Sequence, residues 1–334
     1  MTHSVGFYYA VLLWAAILYG AGVAFKFGSL FLYEAFMPWV SDEPVKPRTK
    51  THPPRPTAFL WWWLGGYLIL SGLAQIPPVI ALMTPKGLET LPIVTAQGGL
   101  GSLLTQAWVH GFSLHPIIYN ILIFMVEAVL GLFLLTERGT PLGRVTAAAS
   151  TIFGLFIWIF PEGFGFLFSC RNSWWAGAPG AGLLLAILSF LLVLPEDGWK
   201  TRYLRPLRIL WIILWASGIV LQLTFFSRTR LSCLVPVGPH LPLPGFILAT
   251  LAAFRHLVEI HPLTLNIALV ILTALAGFIG YRSRVKLSLF GAIAMFGALW
   301  WFGEALGSTA QFALILNSAP LWFAYWSTLR LADQ

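Results

Sequence analysis

The chain has 334 residues, of which 58% are hydrophobic and only 10% charged, and its mean hydropathy is +0.81. That balance excludes a soluble globular or a disordered chain and points to a polytopic membrane protein. The net charge of +8 could suggest a nucleic-acid partner, but the placement of the basic residues gives it another meaning.

The first apolar run covers 5–25. It has no basic n-region and no small-x-small cleavage site, so it reads as a first transmembrane helix and not as a signal peptide. A linker over 41–56, rich in Pro, Lys and Arg, reads as irregular. Apolar runs follow at 59–83, 116–136, 144–168 and 175–194, then at 208–227, 262–281, 287–307 and, shorter, 312–330. A helix needs about 20 residues to cross the hydrocarbon. Abundant Leu and Ala without alternation favour helices over a barrel.

Within each set, a segment between the first two runs is amphipathic at helical spacing, 98–113 in one and 245–260 in the other. Each leads into His-Pro. Proline suits the first turn of a helix, so Pro116 and Pro262 open spans and His115 and His261 take the N-cap positions. The final run is short, and Ala319-Pro320 looks like Ala178-Pro179. Each set is therefore expected to end in a short helix preceded by chain dipping in from the outer face.

The two sets are copies. Ser71-Gly72 recurs as Ser217-Gly218, His110 as His256, His115-Pro116 as His261-Pro262, and Asn120 as Asn266, all at an offset of 146. Trp158, Phe160, Glu162 and Gly165 recur as Trp300, Phe302, Glu304 and Gly307 at an offset of 142. The expected fold is all-α, with about nine transmembrane helices. Residues 1–58 hold the N-terminal helix and linker, 59–200 a first four-helix repeat, and 201–334 a second. An even number of spans per repeat makes the copies parallel.

Under that layout fifteen of the twenty basic residues fall in alternate loops, around Lys26 to Arg55, Arg138 to Arg144, Lys200 to Arg208, Arg282 to Lys286, and Arg330. The positive-inside rule then puts the N-terminus outside and the C-terminus in the cytoplasm of a cell (inner) membrane. The positive charge is a topology signal, with the lipid bilayer as partner and no role for nucleic acid. Cys170 and Cys233 both fall in outer loops. Either a disulfide joins the repeats or they are two unrelated interfacial thiols.

Glu162 and Glu304 are the foremost candidates for a proton or ligand site, because a carboxylate in an apolar helix is costly and faces an interior or a cavity. At helical spacing Trp158 and Gly165 share a face with Glu162, as Trp300 and Gly307 do with Glu304. The alternative is a carboxylate that caps the N–H groups of a neighbouring loop. His110, His115, His256 and His261 suit a quinone or proton site, or interfacial caps. A spacing of five turns their rings apart on one helix, which argues against a metal site. Asn120 and Asn266 read as helix ties. Glu127 lies mid-span in the first copy only, with Thr273 in its place in the second. No Walker loop, GxGxxG, CxxC or HExxH occurs.

The stretch Tyr67 to Pro78 resembles the first helix of DoxX-like four-helix membrane proteins, as does Val126 to Leu135, with Glu127, Gly131 and a leucine run. The HPxxxN and WxFxExxG patterns are similar to those of uncharacterised bacterial membrane proteins loosely associated with that group. The resemblance covers 59–195 and again 205–330. DoxX-like proteins include the membrane subunit of thiosulfate:quinone oxidoreductase, so the resemblance implies a link to quinone-coupled redox chemistry; haem or copper on the four histidines is the weaker alternative that the residues themselves leave.

The leading expectation is thus a membrane subunit of a quinone-linked or respiratory redox system, accompanied by other membrane or periplasmic subunits. Its outer pocket would comprise His110, His115, Asn120, Trp158 and Glu162. A small-solute transporter or channel lined by both repeats, and a structural anchor of a larger complex, are the competing expectations.

Overall fold

A computed structural model describes residues 55–74, 99–167, 172–195, 202–224, 245–281, 286–304 and 318–332. The first run at 5–25, most of the linker, Cys170, Cys233 and Gly307 lie outside the described residues. Among the described residues helix is the dominant regular structure, and there is no strand. In chain order the first repeat contains α1 (Arg55–Ala74), α2 (Gly99–Leu114), α3 (Pro116–Thr136), α4 (Pro141–Ile159) and α5 (Ala181–Val193). The second contains α6 (Leu204–Gln222), α7 (Gly245–Ile260), α8 (Pro262–Tyr281), α9 (Lys286–Ala298) and α10 (Ala319–Ala332). By length and composition three of these, α4, α6 and α8, are long and apolar enough to cross a membrane.

Proline and polar caps set the helix starts. Pro116 and Pro262 are the first residues of α3 and α8, where a missing N–H costs nothing. His115 occupies the N-cap of α3, yet its side chain makes no capping bond. Thr140 caps α4 by accepting from Gly143 N–H at 3.0 Å.

The helix ends depart from the apolar pattern. That pattern runs on to 168, but α4 stops at Ile159. Pro161 has no N–H to give Ile157, so the N–H of Glu162 takes the Ile157 carbonyl instead, at 3.0 Å. The second repeat makes the same wide turn: Glu304 N–H donates to Leu299 O at 3.2 Å, closing a π-type turn over Leu299–Gly303. Trp158, Glu162 and Gly165 therefore do not share a helical face. The chain unwinds between them, and Gly165 adopts a φ of 63°. A Cβ at Gly165 would lie 1.6 Å from the Pro179 carbonyl oxygen, so only glycine fits.

Both repeats end in short helices, α5 with 13 residues and α10 with 14, each about 20 Å long. Before α5, residues 173–180 form a buried non-helical segment containing a single 3-10 turn over Trp174–Ala176. The pairing of Ala178-Pro179 with Ala319-Pro320 is corrected by the structure. The first dipeptide precedes its helix, whereas Ala319 and Pro320 are the first two residues of α10.

The strongest packing joins α4 to α5, α1 to α3, and α6 to α8. Glycine permits the closest approaches: a Cβ on Gly182 would meet Gly154 O and Trp158 N, each at 2.6 Å. The centre belongs to α10, which touches α1, α5, α6, α8 and α9. Trp63 Nε1 donates to Pro320 O at 3.0 Å, and Tyr325 OH to Leu207 O at 2.8 Å. Trp211, Trp215, Trp322 and Tyr325 pack edge and face around this axis.

The amphipathic segments are helices, as their sequence pattern predicts, and each covers the wide turn of its own repeat. Thr105 Oγ1 of α2 donates to Phe160 O at 3.3 Å, and Trp108 meets Phe156 edge-on. On α7, Thr250 Oγ1 accepts from Trp301 Nε1 at 2.8 Å while Phe254 packs on Phe302. Outside, Ile152, Val220, Phe246 and Phe290 are each more than 60% exposed; inside, Ser71, Glu127 and Thr273 are fully buried. Apolar outside and polar inside is the distribution that a hydrocarbon solvent favours.

Candidate functional site

Each of the paired glutamates ends on a helix N-terminus. Glu162 Oε1 accepts from Ala181 N–H at 2.9 Å and Gly182 N–H at 3.2 Å, and Oε2 also accepts from Gly182 N–H, at 3.2 Å. Those are the first two residues of α5. Glu304 Oε1 accepts from the N–H and hydroxyl of Ser318, and Oε2 from Ala319 N–H at 3.1 Å, at the start of α10. A carboxylate there satisfies orphan donors and complements the positive end of the helix dipole. Burial pushes the Glu162 carboxyl up, to about 8; the N–H groups of Gly182 and Ala181 oppose the rise, and the charge of Glu304 adds to it. Glu162 sits three residues beyond the end of α4, in the turn.

Trp158 helps to fix the same joint, its Nε1 donating to Pro179 O at 2.9 Å. Trp300 is half-buried in the π-type turn, and its indole N–H has no acceptor. His110, His115, His256 and His261 are all exposed, on or beside α2 and α7. They do not gather with the glutamates, and among the described residues no three His, Cys, Asp or Glu side chains could hold a metal ion together. The side chain of Asn120 lies outside the described residues.

The polar residues that do converge are mostly others. Ser71 Oγ of α1 donates to Glu127 Oε1 of α3 at 3.0 Å, with both residues fully buried. Tyr67 lies one turn earlier on α1 and is buried as well. At the corresponding place in the second repeat, Thr273 Oγ1 accepts from Trp175 Nε1 at 3.0 Å and donates to Leu269 O at 2.7 Å. Trp175 comes from the segment before α5, so the first repeat fills the second repeat's counterpart of the Glu127 position.

Its neighbours follow. Ser173 Oγ donates to Gln222 Oε1, and Gln222 Nε2 donates to Asn266 Oδ1 at 2.7 Å. The Trp174 ring lies on Gly218, where a Cβ would come within 2.9 Å of it. The Trp175 carbonyl closes on Gly303, 2.0 Å from where a Cβ would stand. Four adjoining features of one segment thus engage the other repeat. Ser173, Trp175, Gln222 and Ser318 escape sequence reasoning because none repeats at a fixed offset.

No protein-family model, no curated protein and no solved structure matches the chain.

Proposed function

We propose that the protein is an integral membrane subunit that handles a proton at Glu127, in the setting of a quinone-linked or other respiratory redox system. The observation that carries this reading is the Ser71–Glu127 pair, a carboxyl at the middle of α3 with zero exposure and a hydroxyl partner. An isolated carboxylate in hydrocarbon is too costly to persist, so such a group is held protonated or changes protonation as part of a task. Tyr67 supplies a second titratable hydroxyl one turn away. The DoxX-like resemblance of the segments carrying Tyr67 and Glu127 supports the redox setting.

The accompanying topology is nine spans, with the N-terminus outside and the C-terminus in the cytoplasm of the cell membrane. Arg138 over Trp62, at 4.3 Å, and Arg330 over Trp326 fit a cytoplasmic interface. The exposed histidines become interfacial groups in this reading, and Glu162 and Glu304 become structural.

A second reading, an anchor subunit of a larger complex, is favoured by the two glutamate caps, which tie helices without leaving a carboxylate for chemistry. A rocking transporter fits less well, since Trp175 and Ser173 bond across the seam along which the repeats would part. The test is to isolate the protein with its partners, record its visible and near-ultraviolet spectrum, and measure electron transfer for wild type and Glu127→Gln. Loss of proton-coupled turnover with intact assembly supports the first reading. A blank spectrum with unchanged turnover and assembly that depends on the chain supports the anchor.

A further inference from the structure

The helices that precede α3 and α8 each have three sides of different chemistry. Successive helical residues turn by about 100°, so residues three or four apart share a side. On α7, Ile247, Thr250, Leu251, Phe254 and Val258 are buried or half-buried and form one side. It rests on the wide turn of its repeat through Thr250–Trp301 and Phe254–Phe302. The remaining circumference is exposed and divides in two. Phe246, Ala253, Leu257 and Ile260 lie on one part, and Arg255, His256 and Glu259 on the other, where Leu248 is the one large apolar residue.

The copy on α2 keeps the same rotational order. Gly101, Thr105, Val109 and Phe112 are buried, Leu103, Ala107 and Leu114 are exposed and apolar, and Gln106 and His110 are exposed and polar. A helix bathed in water alone is polar over its whole exposed surface, and one immersed in hydrocarbon carries no exposed charge. Three sides of different polarity suit a helix lying where protein, acyl chains and water meet.

Length and direction agree. With 16 residues α7 is about 24 Å long, too short to cross the hydrocarbon. Three successive turns of it, at Phe246, Thr250 and Phe254, meet the adjacent Trp301 and Phe302, so it crosses the end of the α9 segment instead of running down its side. Its apolar part, with Phe246, Leu257 and Ile260 at 44–64% exposure, leads across His261-Pro262 into Leu263, Ile267 and Ile271 of α8, at 50–57%. That continuity gives both rows the same acyl surroundings.

We propose that α7, and α2 as its copy, lie flat in the boundary between headgroups and acyl chains, in the leaflet where α8 and α3 begin. Phe246, Leu257 and Ile260 touch acyl chains, and Arg255, His256 and Glu259 face water. The inference rests on the membrane setting of the proposed function and is independent of Glu127.

The experiment places single nitroxide labels at Phe246→Cys, Leu257→Cys, Arg255→Cys, Glu259→Cys and, on α8, Ile271→Cys. The full chain, carrying Cys170→Ser and Cys233→Ser, is reconstituted in phosphatidylcholine vesicles. Each label is relaxed in turn by oxygen, which concentrates among acyl chains, and by a nickel chelate confined to water. The ratio of oxygen to nickel accessibility should be severalfold higher at positions 246 and 257 than at 255 and 259, and highest at 271. Equal ratios at the four α7 positions, or nickel access at 246 and 257 with oxygen dominant at 271, would overturn the inference and leave the membrane setting standing. Nickel access at 271 overturns both. If the serine background does not fold, a photoreactive benzophenone side chain at position 257 or 255 of the native chain decides. Cross-links to phospholipid from 257 and none from 255 are expected, and equal cross-linking or none from either overturns the inference.

Discussion

Trp175, in the segment before α5, donates its indole N–H to Thr273 of α8, 98 residues away in the other repeat. Thr273 passes its own proton to Leu269 O, so its oxygen is turned to receive the indole. Trp175→Phe and Thr273→Val should each lower the unfolding free energy by about 1–2 kcal/mol, the larger share from the donor or acceptor left unpaired. The double variant should lose about 1 kcal/mol less than the sum, measured by unfolding in detergent. Strict additivity would show that the bond contributes nothing.

The glutamate caps give a matched pair of expectations. Glu162→Gln and Glu304→Gln keep one acceptor oxygen and should cost about 1 kcal/mol each. The Ala variants strand two or three buried donors and should cost about 2–4 kcal/mol. Thermal unfolding of the four variants checks this. A Glu162→Ala protein of unchanged stability but lost activity would show that the carboxylate does chemistry and is not a cap.

Glycines divide sharply by surroundings. Gly182→Ala and Gly280→Ala should destabilise by about 1–3 kcal/mol, because their Cβ atoms would strike the α4 backbone and the Trp211 indole. Gly66→Ala and Gly111→Ala meet nothing within 4 Å in helix interiors and should be neutral or stabilising by about 0.5–1 kcal/mol. Opposite signs within one fold make the comparison independent of detergent.

The exposed histidines should be replaceable. His115→Ala, His256→Ala and His261→Ala are each expected to shift stability by less than about 0.5 kcal/mol. Metal analysis before and after the triple change should give the same result. A metal lost with these rings would reinstate them as ligands.

Local chemistry is what the sequence makes legible. The His-Pro boundaries mark the starts of α3 and α8, since proline acts on its own turn, and the amphipathic segments become α2 and α7 because their periodicity is local. Helix ends are harder. Apolar residues run straight past Ile159, and only the missing N–H of Pro161 and the donors of α5 draw the chain out of the helix. The partners of Glu162 and Glu304 stand 19 and 15 residues downstream, a spacing that does not repeat. The sequence displays two carboxylates and hides what they hold. Trp175 carries no such signal, and Thr273 is marked only as the residue in Glu127's place; that the two meet, 98 residues apart, shows only once the fold exists.

The burial of α10 also sets an order of events. It is made after every other described helix, yet it occupies the axis that five of them share, with Leu321, Trp322, Ala324 and Tyr325 wholly covered. Until those residues are synthesised, the preceding helices surround an unfilled centre, and the first repeat cannot form its Trp63–Pro320 contact. Assembly therefore finishes from the C-terminal side. A chain cut before residue 319 would keep the α1–α3 and α4–α5 pairs but lack the helix on which five others converge.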